Sequence, residues 1–395
     1  MSFSSSLVNI VAFFQSNHAS SHFNQIKQDL VMEGANINIH EGRACCDPAL
    51  PQHGQHDDKD CFSGHRCMSH LKSTSLGHLL LVTPEITSTQ DFIRQNSSRL
   101  GSGVVMVADK QSSGKGRGGN SWTSPKGCLM MSAISRLAIP GAWAPFINYV
   151  VSLAVVQGVE DAVKVVEPRL PTSSLGIRIK WPNDIYSTAG LKLGGILIHT
   201  TWSSDSFNVV TGIGLNVTNG QPTTCLMELL ESCLINREKD YAVVGTTGST
   251  SSSSGQYVQD AADGAAAAAA SPRDDVKGSA LLRFDRELLT ACILNQLERC
   301  FMTFEAKGFE PLKEAYLSAW LHSEQQIVAY DPDTIAPVKS SSGLLSPDLG
   351  VQLTIKGLSQ SGFLLAEDMY GCQHELTPDG NSLDMMRNLI KRKIT

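Results

Sequence analysis

The sequence predicts an α+β fold with a small β-barrel at its C-terminal end, and three observations carry this. First, short apolar runs bounded by glycine and turn residues recur at Leu79–Val82, Val104–Val107, Cys128–Ile134, Lys192–Ile198 and Val209–Val217. Runs of this length with turn signals on either side read as strands. Second, Leu289, Ile293, Leu297, Phe301 and Phe304 follow near-helical spacing, giving one amphipathic helix whose apolar stripe packs in a core. Third, short alternating runs at Ile327–Ala329, Val351–Ile355 and Phe363–Ala366 are separated by Gly, Pro and Asp, as in a small barrel.

In chain order, residues 1–75 are polar, rich in His and Ser, and poor in aliphatic periodicity. They read as a poorly ordered N-terminal extension and a possible targeting region. The first 28 residues hold no acid, as in a transit peptide, but arginine is absent until Arg43. The expected location is cytoplasmic or plastid (chloroplast). Cys45, Cys46, Cys61 and Cys67, with His53, His56, His65 and His70, lack the paired spacing of one zinc site. They read as part of a disordered polar segment, and no metal ligand set is assigned. Residues 76–325 form the main domain, interrupted by a low-complexity insertion at about 240–278. Gly245–Ser271 contains serine, glycine and the alanine run Ala265–Ala270, which bury too little apolar surface to offset ordering entropy. Residues 326–395 form the barrel domain.

Composition bounds the rest. The chain of 395 residues is long enough for two or more domains, and its 42% apolar content allows a sizeable core. No apolar run approaches the roughly 18 residues of a membrane span, so no membrane partner is expected. The ten cysteines are scattered without a secretory signal, which favours thiols over disulfides. No basic recognition helix is visible, so no nucleic-acid partner is expected.

The most informative stretch is Gly114–Trp122, Gly-Lys-Gly-Arg-Gly-Gly-Asn-Ser-Trp. Glycines let backbone approach a ligand closely. Arg117 offers a planar fork for phosphate or carboxylate oxygens. No Asp or Glu occurs between Asp109 and Glu160, although the protein carries a formal net charge of −6. A P-loop is excluded, because Asp109 and Gly116 stand where it needs a glycine and a hydroxyl. A Rossmann turn is excluded too: Thr123–Gly127 is a turn leading into a strand, and the ribose-binding acid is missing.

Further motifs follow in order. Ser88 and Thr89 come after an apolar strand. Lys180-Trp181-Pro182-Asn183-Asp184 combines a cation with a turn, and Lys192-Leu193-Gly194-Gly195-Ile196-Leu197 is a glycine-entered strand. Gly212-x-Gly214-x-Asn216 ends another strand, where glycine often marks close approach of a ligand or a second backbone. Together with the Gly114–Trp122 loop, these five motifs resemble those of biotin–protein ligases. Ser124–Met130, Asn219–Leu226 and Trp320–Gln325 resemble plant-type members, the holocarboxylase synthetases. The resemblance spans about residues 78–230 and 280–395. Lys115 stands where the family usually has Arg, and Gln90 where Asn is frequent.

The resemblance implies a central mixed or antiparallel sheet flanked by helices, related to class II aminoacyl-tRNA synthetases. It implies that ATP and biotin, with Mg²⁺, give biotinyl-AMP. Biotin then passes to a lysine on the carrier domains of acetyl-CoA carboxylase and other biotin-dependent carboxylases. Arg117 and Lys180 are the expected catalytic cations. Ser88, Thr89, Gln90, Gln111, Lys115, Gly116 and Arg117 are the expected biotin site. Gly114, Gly118, Trp122, Lys180 and Asn216 are the expected nucleotide site, with Lys192 and Asn183 as further candidates. Lys192 reads equally as a solvated strand edge, and Trp122 as either a ligand contact or core. Two alternatives stay open: lipoate or octanoate ligation on the same fold, and a non-enzymatic regulator.

Overall fold

The computed structural model describes residues 8–15, 24, 26–28, 37–41, 61–246, 284–329, 351–376, 381–384 and 389–392. Its centre is a nine-stranded mixed sheet with the order β2-β1-β3-β4-β7-β11-β10-β9-β8. The strands are β1 (Val8–Phe14), β2 (Ile37–Glu41), β3 (Leu79–Ile86), β4 (Val104–Gln111), β7 (Cys128–Leu137), β8 (Ile177–Lys180), β9 (Asp184–Ser187), β10 (Lys192–Ser203) and β11 (Ser206–Asn216). The two missing numbers, β5 (Gly114–Lys115) and β6 (Ser121–Trp122), form a small ribbon of their own. Within this nine-stranded sheet only β1–β2 and β3–β4 pair in parallel. The second of these requires a crossover, which α2 (Thr89–Leu100) supplies.

Strand alternation assigns the two faces. Leu79 and Leu81 of β3, with Val104 and Met106 of β4, pack with Phe92, Ile93 and Leu100 of α2. Leu80, Val82, Val105 and Val107 face the other way, toward α3 (Ile147–Val166) and α5 (Arg286–Lys307). The expected stripe Leu289, Ile293, Leu297, Phe301 and Phe304 is buried on α5. Asp285 caps that helix by accepting from the Glu287 N–H at 2.9 Å. Two further helices, α1 (Gly64–His70) and α6 (Glu310–Ala319), pack on α5, and α4 (Leu226–Thr246) follows β11.

The C-terminal unit is a six-stranded sheet, β15-β14-β13-β12-β17-β16, antiparallel except for the β12–β17 pair. It is built from β12 (Gln326–Ala329), β13 (Val351–Leu358), β14 (Leu364–Asp368), β15 (Gln373–Leu376), β16 (Asn381–Asp384) and β17 (Leu389–Arg392). Ile327, Leu353, Ile355 and Leu364 belong to the same apolar cluster as α3 and α5, so the small sheet is packed onto the main core.

Two expectations need correction, and a third lies partly outside the described residues. Residues 1–75 are not uniformly an extension: β1 pairs with β3 and buries Ile10 and Ala12, while Phe62 and Cys67 are core. The strand-length run Val8–Phe14 was hidden in a polar average. Four members of the Cys/His group, Cys45, Cys46, His53 and His56, lie outside the described residues. Among the described residues no His/Cys/Asp/Glu group could hold a metal, and the cysteines are free. Finally, Gly141–Val166 is long and apolar enough by length and composition to cross a membrane. Here it is a core helix, with Val150, Val151, Leu153, Ala154 and Val155 buried. The expected insertion overlaps the end of α4 and otherwise lies outside the described residues.

Candidate active site

A cavity of about 250 Å³ opens at the centre of the large sheet. Its floor is bare backbone. A Cβ on Gly212 would sit 2.5 Å from Gln90 Oε1, and one on Gly214 would sit 2.7 Å from Trp122 Nε1. Only glycine leaves room there for both neighbours.

The polar wall comes from the start of α2. Ser88 is its N-cap, accepting from the Asp91 N–H at 3.2 Å. The Gln111 Oε1 accepts from Thr89 twice, from its N–H at 2.8 Å and its hydroxyl at 3.1 Å, while Gln111 Nε2 donates to Ser124 Oγ at 3.0 Å. The Thr89 hydroxyl also lies 2.9 Å from Ser132 Oγ. Gln90 Nε2 donates to the Leu197 and Val210 carbonyls, each at 3.2 Å. Two carbonyl partners fix the amide orientation, so Gln90 Oε1 is left buried without a protein donor. An unmatched buried acceptor of this kind costs about 1–3 kcal/mol.

The opposite wall is cationic. Lys115, Arg117, Lys180 and Lys192 line the cavity, with Asp184 as its one acidic residue among the described residues. Arg117 Nη1 donates to Asn183 Oδ1 at 3.2 Å, and Asn183 Nδ2 donates to the Ile196 carbonyl at 2.7 Å. Lys180 lies over the Tyr186 ring, 5.3 Å from its centroid. Lys192 lies on the cavity side of β10, its Nζ 2.9 Å from Asp184 Oδ1 and 5.8 Å from the Trp122 centroid.

Gly114–Trp122 forms the rim. Gly114 pairs with Trp122 and Lys115 with Ser121, closing a ribbon whose tip is a tight turn at Arg117–Gly119. Gly118 and Gly119 take φ of 61° and 77°, values that favour glycine.

Residues 82–216 match the Biotin/lipoate A/B protein ligase family. The chain is 36% identical to the chloroplastic Biotin–protein ligase 1 of Arabidopsis thaliana, over 86% of this chain and 76% of that protein. The chain belongs to the biotin–protein ligase family. Biotin–protein ligase 2 of the same plant is 34% identical over 86% of this chain and 84% of that protein. A solved structure of biotin protein ligase from Aquifex aeolicus in complex with biotin and ATP is 20% identical, covers 80% of this chain and 99% of that one, and has a TM-score of 0.46.

Of the residues singled out from sequence, Ser88, Thr89, Gln90, Gln111, Lys115, Gly116, Arg117, Trp122, Lys180, Asn183 and Lys192 line this cavity. Gly114 and Gly118 shape the rim without lining it. Asn216 does not line it either. Its amide donates to the Thr224 carbonyl at 3.0 Å and accepts from Asn219 at 2.8 Å, so here it braces the end of β11. The sequence reading missed Ser132 and gave Asp184 no role. Ser132 carried a usable signal, because a lone hydroxyl inside the apolar run Cys128–Ile134 needs a buried partner.

Proposed function

We propose that this chain activates biotin with ATP and transfers it to a lysine on carboxylase carrier domains, acetyl-CoA carboxylase among them. The observation that carries this is one cavity with two chemically distinct walls. The amide and hydroxyl wall suits a neutral ureido ring, whose N–H would give Gln90 Oε1 the donor it lacks. Lys115, Arg117 and Lys180 suit a carboxylate that must approach a phosphate.

In the first step a biotin carboxylate oxygen bonds to the α-phosphorus as the bond to the β-phosphate oxygen breaks, and pyrophosphate leaves. Fixed cations stabilise the charge that develops there. Holding both reactants in place supplies roughly 7–11 kcal/mol of the barrier. In the second step the carrier lysine amine bonds to the acyl carbon, AMP leaves and the amine loses a proton. No protein nucleophile is needed. Gly114–Trp122 covers the mixed anhydride and excludes water, a lid role. Asp184, the cavity carboxylate among the described residues, would be the side chain to hold a Mg²⁺ brought in on the ATP phosphates, where the ion would offset their charge. Asn216, expected to hold the nucleotide, braces the end of β11 and is not among the residues that line the cavity. We place the enzyme in the plastid or the cytoplasm; its relative Biotin–protein ligase 1 is named chloroplastic.

The deciding experiment incubates the protein with ATP, Mg²⁺ and either biotin or lipoate and detects the acyl-adenylate by mass spectrometry. Biotinyl-AMP with no lipoyl-AMP is expected. Lipoyl-AMP alone would move the chain to the lipoate branch, and no adenylate at all would reject the reading.

A further inference from the structure

The turn that carries Lys180 is held from outside the cavity. The Leu321 N–H donates to the Ile179 carbonyl at 2.9 Å, and Asn148 Nδ2 donates to the Pro182 carbonyl. Between them, the Trp181 N–H donates to His322 Nε2 at 2.9 Å. A peptide N–H can only donate, so His322 Nε2 carries no proton. Its Nδ1 lies 2.7 Å from Gln325 Oε1 and is the protonated nitrogen. The imidazole is fully buried and stands edge-on to Trp320, ring centroids 5.6 Å apart.

His322 also joins the two sheets. Gln325 accepts from the Ile355 N–H at 2.9 Å and leads into β12, while Glu324 donates its N–H to the Ile355 carbonyl at 3.1 Å. Lys180 of β8 is the charge that acts on the ring. Glu324 is turned to Lys356 at 2.7 Å. The Tyr149 phenol accepts from Trp181 Nε1 at 3.0 Å and donates to the Gly362 carbonyl, and the Tyr316 phenol is fully buried.

We propose that His322 is a positioning residue for adenylation: as the neutral Nδ1–H imidazole, it grips the Trp181 amide and so presents the Lys180 ammonium to the cavity. This rests on the adenylation reading above. Burial, reinforced by the nearby Lys180 charge, keeps the imidazole neutral, with its pKa lowered to about 4.

The test has an arm independent of activity. Nitrogen-edited NMR of the full chain at neutral pH should find His322 protonated on Nδ1 and bare on Nε2. An Nε2–H or an imidazolium overturns the proposal whatever the enzyme does. If the wild-type protein makes no biotinyl-AMP, the functional reading fails while this arm still decides the hydrogen bond. In active enzyme, His322→Leu should lower kcat for biotinyl-AMP formation about tenfold, the size of one lost hydrogen bond, with KM for biotin within about twofold. His322→Gln, whose carbonyl can accept the Trp181 N–H, should recover most of that loss. A packing role predicts the reverse order, because leucine fills the site better than glutamine, and that order overturns the proposal. Gln325→Glu should stabilise the imidazolium and move the acid limb of kcat upward by about one pH unit or more. This variant carries the test if His322→Leu does not fold, and an unmoved limb refutes the positioning role.

Discussion

Gly214→Ala isolates the contact between the sheet floor and the lid. The added methyl would meet Trp122 Nε1 at 2.7 Å, Cε2 at 2.8 Å and Cζ2 at 3.2 Å. Ordinary carbon contacts fall at roughly 3.5–4.0 Å, so something must retreat by about 0.8 Å. β11 is paired on both sides, to β7 and β10, whereas Trp122 is held by a two-residue ribbon. The indole therefore moves, and the rim moves with it. Overpacking of this kind costs about 1–3 kcal/mol, or roughly 5- to 150-fold in the population of the closed lid. Hydrolysis of bound biotinyl-AMP, followed by AMP release without an acceptor, should accelerate within that range. The thermal melt should change little, since the strain sits on a half-exposed ring. A double-mutant cycle with Trp122→Ala supplies the control, because the Gly214→Ala effect should vanish once the ring is gone. Equal losses in both backgrounds, or unchanged hydrolysis in the single variant, would refute the reasoning.

Other expectations follow from the same geometry. Arg117→Ala and Lys180→Ala should each cost about 2.7–4 kcal/mol of transition-state stabilisation while the protein stays folded; near-wild-type pyrophosphate release in both would remove them from the chemistry. Deleting Gly245–Ser271 should leave adenylation nearly intact, because loop-closure cost changes slowly with length, and a collapsed thermal melt would show that the segment packs. Stability should fall in acid through His322. Its folded pKa of about 4 lies below the unfolded value near 6.5, so its contribution is complete above pH 6.5 and is lost as pH falls, by about 3 kcal/mol at pH 4. Urea midpoints of wild type and His322→Gln between pH 8 and 4 should converge in acid, and parallel curves would exclude the effect.

What the sequence disclosed depended on how local each residue's job is. Gly118 and Gly119 adopt a backbone that favours glycine, and Arg117 and Lys180 are cations inside short motifs, so their neighbours in the chain give them away. The stripe on α5 was equally plain, because one face is apolar and the period shows. α3 gave no such signal: it is apolar on nearly every side, and a helix buried all round has no amphipathic period to read. β1 was missed because a seven-residue strand with six apolar residues is diluted by a polar neighbourhood. Asn216 sat in the expected motif but turned its amide to Thr224 and Asn219, a choice that depends on a turn beyond the strand.

The supports of the Lys180 turn were illegible for a different reason. Asn148 and His322 reach Pro182 and Trp181 across 34 and 141 residues, and nothing in a single chain marks such pairs. Yet they bear on the chemistry as directly as the motif does. A cation stabilises a transition state only if it need not reorganise at the moment of reaction. Lys180 supplies the charge, but its fixity comes from an imidazole and an amide that lie outside the Lys180–Asp184 motif and far from it in the chain. The part of this site that a sequence motif conveys is thus the identity of the charge, and the part it omits is the rigidity that makes the charge useful. That division is why loss of His322 should appear in kcat rather than in biotin binding: among the described residues, the polar wall built on Thr89, Gln90 and Gln111 is braced by Ser124, Ser132 and the Leu197 and Val210 carbonyls, whereas His322 holds the Trp181 amide.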